Sequence, residues 1–129
     1  MKLGKLVDIY KSLKEAEVSE IEVSERLVIV RIMKAARPFV DEFDNFVNDL
    51  REKFKTQNME TIVQKIQQNK GLTESEAEEF MKFNTPVSTA IAEERERDVE
   101  VELPKLSEES VVKLIGENGW KMKMQELFE

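Results

Sequence analysis

Apolar positions follow a helical period along most of this chain and a strand period only near its end. Leu3, Leu6, Val7, Tyr10 and Leu13 recur three and four residues apart, which predicts a short amphipathic helix over 3–15, its first turn weakened by Gly4. Ser19 with Glu22 makes a capping-box pattern and Ser24 is a second candidate cap, so the next helix begins at one of these and runs to about Lys55. On a helical wheel Val28, Ile29, Ile32, Met33, Ala35, Ala36, Phe39, Val40, Phe43, Phe46, Val47, Leu50 and Phe54 share one broad apolar arc, and the opposite face reads as charged. An arc that wide has to be covered on both flanks. Pro38 interrupts the run on its polar side, where it removes a backbone hydrogen bond and predicts a kink.

Length adds a second constraint. A straight helix over 24–55 spans about 46 Å, against a diameter of roughly 36 Å for a compact domain of this size. The helix must bend, protrude or pack against a second subunit, and a homo-oligomer is the expectation. Asn58 caps a helix with Met59, Ile62, Val63 and Ile66 that ends at Gly71, and Thr73 with Glu76 opens another with Ala77, Phe80, Met81 and Phe83. Asn84-Thr85-Pro86 is either a break or a kink, with Pro86 suited to the first turn of a new helix that reaches about Arg95.

Asp98-Val99-Glu100-Val101-Glu102-Leu103 then alternates at the strand period until Pro104, Ser107 caps a helix ending at Gly116, and Trp120-Lys121-Met122-Lys123-Met124 alternates again. The pattern predicts a ribbon of 98–103 with 120–125, its glutamates opposite lysines; the alternative is a helix over 120–128. The fold expected is mainly α (α+β): a long kinked central helix, shorter helices packed on it and a small C-terminal two-stranded β-ribbon. Residues 1–129 are read as a single helical domain with a β-α-β-like extension at 98–125.

Composition narrows the chemistry. The chain has 129 residues, 40% hydrophobic and 36% charged, with no cysteine and no histidine. Disulfides, thiolate catalysis and imidazole-dependent triads are excluded, which leaves carboxylate, Lys, Tyr, Ser or Thr chemistry. No Asp/Glu set has the spacing of a calcium loop or two-metal site, so no catalytic residue, metal site or cofactor is expected and the protein is read as non-enzymatic. A formal net charge of −7 disfavours general nucleic-acid binding and anionic membranes. No run approaches the ~20 apolar residues of a membrane span, and no apolar stretch follows Met1-Lys2-Leu3-Gly4-Lys5, so no signal peptide and a cytoplasmic location are expected.

Three features could carry function. Arg26, Arg31, Lys34 and Arg37 form a basic stripe on the long helix, with Arg26, Lys34 and Arg37 within about 80° of one another. It is a solvated face with an Arg37–Asp41 pair, an anion site built on guanidinium forks, or a partner interface. Tyr10 and Trp120 could stack on a purine or anchor an interface; otherwise each is a core or edge residue with its polar tip wet. Glutamates at 74–79 and 108–109 crowd helix starts, where the helix dipole accounts for them, and Gly4, Gly71, Gly116 and Gly119 form no phosphate loop.

The opening segment Lys2–Leu13, the run Leu27–Phe54 with its Arg37-Pro38, and the closing Asp98–Ser107 with Glu117-Asn118-Gly119-Trp120 resemble small bacteriophage and prophage accessory proteins of gut bacteria. The resemblance covers most of the chain and rests on structural pattern rather than catalytic motifs, so it carries no functional residues over. It implies a phage-encoded accessory protein, commonly oligomeric, in the host cytoplasm. The expectation that follows is an anti-defence protein sequestering a small anionic nucleotide-like immune signal through Arg26, Arg31, Lys34 and Arg37, with Trp120 or Tyr10. The alternative is a phage structural or assembly protein acting through protein–protein contacts. A carboxylate-dependent enzyme stands last, for want of an acid–base pair.

Overall fold

The helical periods dominate the outcome. The computed structural model describes residues 1–119, and within them lie five α-helices: α1 (Leu3–Glu15), α2 (Val23–Phe54), α3 (Met59–Gln67), α4 (Glu74–Arg95) and α5 (Glu108–Asn118). The chain divides into two compact units, one of Met1–Glu42 with the chain from Arg95 onward, the other of Phe43–Glu94.

In the first unit the apolar stripes of three helices meet. Ile9 and Leu13 of α1, Ile29 and Ile32 of α2, and Val111 and Leu114 of α5 form one buried cluster, closed by Ile21 and Leu106 from the connecting segments. Burial of this kind contributes roughly 1.5–3 kcal/mol per large aliphatic side chain. The chain ends of the unit are tied by backbone pairing. The Leu3 N–H donates to the Arg97 carbonyl at 2.8 Å and the Val99 N–H to the Met1 carbonyl at 2.9 Å. Side chains reinforce this: Arg95 pairs with Asp8 at 2.7 Å, and Lys2 pairs with Glu96.

That pairing corrects the expected β-ribbon. Residues 98–103 form no strand, and the only bridge among the described residues is antiparallel between Lys2 and Asp98. The alternation buries Val99 but leaves Val101 and Leu103 half-covered, and the backbone groups of 97 and 99 bond to residues 1 and 3. A two-residue contact with an incoming terminus gives no ladder for a strand to extend along. The proposed partner, 120–125, lies outside the described residues. The intervening helix does form: Ser107 accepts from the Ser110 N–H at 3.2 Å as its cap, and Gly119 closes it in the left-handed conformation at φ 64°. The mainly α assignment stands and the ribbon does not.

In the second unit Phe43, Met59, Ile62 and Val87 are buried, while Phe46, Val47, Leu50, Phe54, Phe80 and Phe83 are half-exposed. The Thr73–Glu76 capping box forms reciprocally, at 3.1 and 3.0 Å, and Lys65 of α3 donates to Glu76 at 2.8 Å. Hydrogen bonds from Lys65, then from the Thr73 backbone, hold the Glu76 carboxyl below its ordinary value. Both prolines sit inside unbroken helices, Pro38 in α2 and Pro86 in α4, so Asn84-Thr85-Pro86 neither ends nor starts a helix. Pro38 is exposed, which leaves the Lys34 carbonyl that loses its partner open to water.

Candidate functional site

The basic stripe on α2 separates into one structural arginine and three exposed cations. Arg26 is half-buried and its fork is spent within the protein: Nε donates to the Ile21 carbonyl at 2.7 Å and the terminal nitrogen to the Ser19 carbonyl at 2.8 Å. Those carbonyls belong to the α1–α2 connection, which α5 grips from its other end. There the Glu17 N–H donates to the Asn118 side-chain oxygen at 2.6 Å, and the Asn118 amide donates back to the Glu17 carbonyl at 3.0 Å. Ser19 donates to Glu117 rather than capping α2, and the first turn of α2 instead bonds to the Glu22 carbonyl. Ile21, buried between, pins the connection to the core.

Arg31, Lys34 and Arg37 are exposed, and Arg37 lies 3.8 Å from Asp41, one turn on, as the ion-pair reading required. They are not alone on their face. Val23, Leu27 and Val30 stand on the same outer side of α2 with 69%, 54% and 59% of their surface open to solvent. At helical spacing Val23, Leu27, Val30, Lys34 and Arg37 fall within an arc of about 80°, opposite Ile29, Ile32 and Ala36 in the core. Three branched apolar side chains in line on a charged chain's outer surface form a contact patch of about 300 Å², the size of patch that in soluble proteins is often functional. Ahead of the patch, on the locked connection, Glu17, Glu20 and Glu22 are exposed. In chain order the exposed side chains therefore run from acidic through apolar to basic, with Asp41 paired to the last cation.

Of the aromatic candidates, Tyr10 is half-buried on α1 and Trp120 lies outside the described residues. The second unit carries an open groove of about 460 Å³ with Met59, Val63 and Phe83 on its floor. Its rim sets Arg51 and Lys55 against Glu52 and Glu60, and Lys55 lies 3.5 Å from Glu60, so its charges largely cancel and it makes a poor anion trap. Among the described residues no group of acidic side chains is arranged to hold a metal ion, and no helix is long and apolar enough to cross a membrane.

The dominant apolar arc of α2 predicts a charged opposite face, and the structure adds Val23, Leu27 and Val30 to it. The signal was present in their four- and three-residue spacing, and it was obscured by the stronger core pattern on the same helix. Comparison with protein-family models, with curated proteins and with solved structures gives no match.

Proposed function

We propose that the protein is a non-enzymatic binding protein that acts through protein–protein contacts made by the outer face of α2, in a structural or assembly role. The observation that carries this reading is the exposed line Val23, Leu27 and Val30. An apolar line held on a helix whose other side is anchored in a core is rigid before it meets a partner, so little side-chain freedom is lost on docking. The nucleotide-sequestering reading needs basic side chains converging on a pocket. Arg26 is occupied by the Ser19 and Ile21 carbonyls, and Arg31, Lys34 and Arg37 stand on an open helix face.

A photo-crosslinking residue placed at Leu27 in the full chain, in cells that express it natively, tests the proposal against the same residue at exposed Thr61. A discrete protein adduct at position 27 and none at 61 is expected. No adduct at 27 would remove the reading. A thermal shift with cyclic or ADP-ribose-derived nucleotides, lost in K34A/R37A, would put sequestration in its place.

A further inference from the structure

We infer that the outer face of α2 is occupied by a second copy of this chain, packed antiparallel about Leu27. The inference rests on the protein-contact reading and names its partner. It comes from the order of charges along the face. Glu20 stands seven residues before Leu27 and Lys34 seven after; Glu22 lies five before and Arg31 four after. All four are exposed, and Val23, Leu27 and Val30 lie between them. A surface with acid at one end, base at the other and an apolar middle is complementary to itself when turned end over end. That is the requirement of an isologous two-fold interface, in which each residue's contact is returned by its counterpart.

Around such an axis Leu27 meets Leu27 of the second copy, and Val23 of each lies toward Val30 of the other. Arg31 and Lys34 of each copy then come to the end where Glu20 and Glu22 of the other stand. Parallel pairing would instead set glutamates against glutamates and cations against cations, which costs association at both ends. The acidic end is held in place before binding, because Arg26, Asn118 and Glu117 bracket the connection that carries Glu17 and Glu20. Glu117 adds a fourth carboxylate there, accepting from the Glu20 N–H at 3.4 Å.

Size sets the strength. An apolar centre of about 300 Å² per copy with charged ends falls at or below the lower edge of specific interfaces, where about 800 Å² per partner is usual. A weak, reversible dimer is expected, with a dissociation constant on the order of 10 µM as the value to be tested.

Sedimentation velocity on the full chain, from roughly 2 to 500 µM, tests this with two charge-reversed variants, R31E/K34E and E20K/E22K. Wild type is expected to pass from monomer to dimer across that range. Each variant alone is expected to stay monomeric, since antiparallel pairing then places like charges at both ends. An equimolar mixture of the two is expected to recover dimer within about threefold of the wild-type affinity, because one variant carries carboxylates at 20, 22, 31 and 34 and the other carries cations at all four. L27E, which keeps every end charge, is expected to lose the dimer. Circular dichroism melts confirm that each variant is folded.

Wild type remaining monomeric throughout would overturn the inference. So would variants that dimerise unaided, or a folded mixture that fails to pair. If wild type is monomeric while the crosslinker at Leu27 captures a different protein, the second copy is excluded and the protein-contact reading survives. With neither dimer nor adduct, both fall.

Discussion

Two leucines on opposite sides of the first unit's packing allow a quantitative test of the architecture. Leu114 of α5 is 0% exposed within the cluster formed with Ile29 and Ile32, whereas Leu27 of α2 is 54% exposed. Truncating Leu114 to alanine removes three buried carbons, about 2.4 kcal/mol at roughly 0.8 kcal/mol each, and leaves a cavity that raises the loss to about 3 kcal/mol. The unfolding entropy of a chain of 129 residues is about 0.27 kcal/mol/K, so Leu114→Ala should lower Tm by about 11 °C. Leu27→Ala removes the same atoms from a half-wet site and should cost less than about 1 kcal/mol, or less than about 4 °C. Differential scanning calorimetry at about 2 µM, below the dissociation constant proposed for the dimer, measures both. A Leu114→Ala shift under about 4 °C, or a Leu27→Ala shift equal to it, would refute the assignment of core and outer faces.

Gly4→Ala reverses the usual helix-propensity gain. A Cβ there would sit 2.9 Å from the Arg95 Cβ and 3.0 Å from its guanidinium, so Arg95 must move off Asp8. A net loss of about 1–3 kcal/mol by urea denaturation is expected, and a stabilised variant would refute the close approach. Arg26→Met keeps the aliphatic stem and leaves the Ser19 and Ile21 carbonyls without their donor. Hydrogen exchange at residues 17–22 should rise at least about tenfold, and unchanged protection would show that the arginine does not hold the connection. Glu76 has its carboxyl held below the ordinary value of 4.5 by hydrogen bonds from Lys65 and then Thr73, so the folded state favours its charged form. Its stabilising contribution is therefore present above that value and lost as pH falls through the depressed folded value. The stability gap between wild type and Glu76→Gln, measured by denaturation, should be larger at neutral pH than near pH 3, and a gap independent of pH would contradict the Lys65–Glu76–Thr73 arrangement.

What the sequence made legible was local. The 3.6-residue period located α1, α2, α3 and α5 to within a few residues, because an amphipathic stripe needs nothing beyond a core on one side. The Ser107 and Thr73 caps were readable for the same reason: their partners lie three residues away. Failures came where a distant segment decided. Residues 98–103 alternate like a strand, but a strand needs a partner, and residues 97 and 99 pair instead with residues 1 and 3. Asn84-Thr85-Pro86 reads locally as a break or a kink, and of the two the break does not occur: α4 runs through Pro86, with Val87 buried beside it. Ser19 looked like a cap, and its hydroxyl goes to Glu117, 98 positions along the chain. The candidate site was half legible. Arg31, Lys34 and Arg37 were found from their charge. Their relation to Val23, Leu27 and Val30 depended on knowing which α2 face the core takes.

Helix geometry also bears on the choice between capturing a small anion and docking a protein. Side chains on the outside of one helix diverge from its axis, so cations at 31, 34 and 37 fan outward rather than converge. A small phosphate-bearing ligand laid on that face would stay largely in water, where each contact with an exposed cation is screened and worth little. A second helix laid along the same line excludes that water over its whole length. It covers the three apolar side chains and brings carboxylates to the cations under partial desolvation, which is where charged contacts select one partner and one orientation. Arg26, the half-buried guanidinium of the stripe, is bonded to the connection that carries Glu17, Glu20 and Glu22. The same bonds that take Arg26 out of an anion site therefore hold the connection on which Glu20 and Glu22 stand exposed.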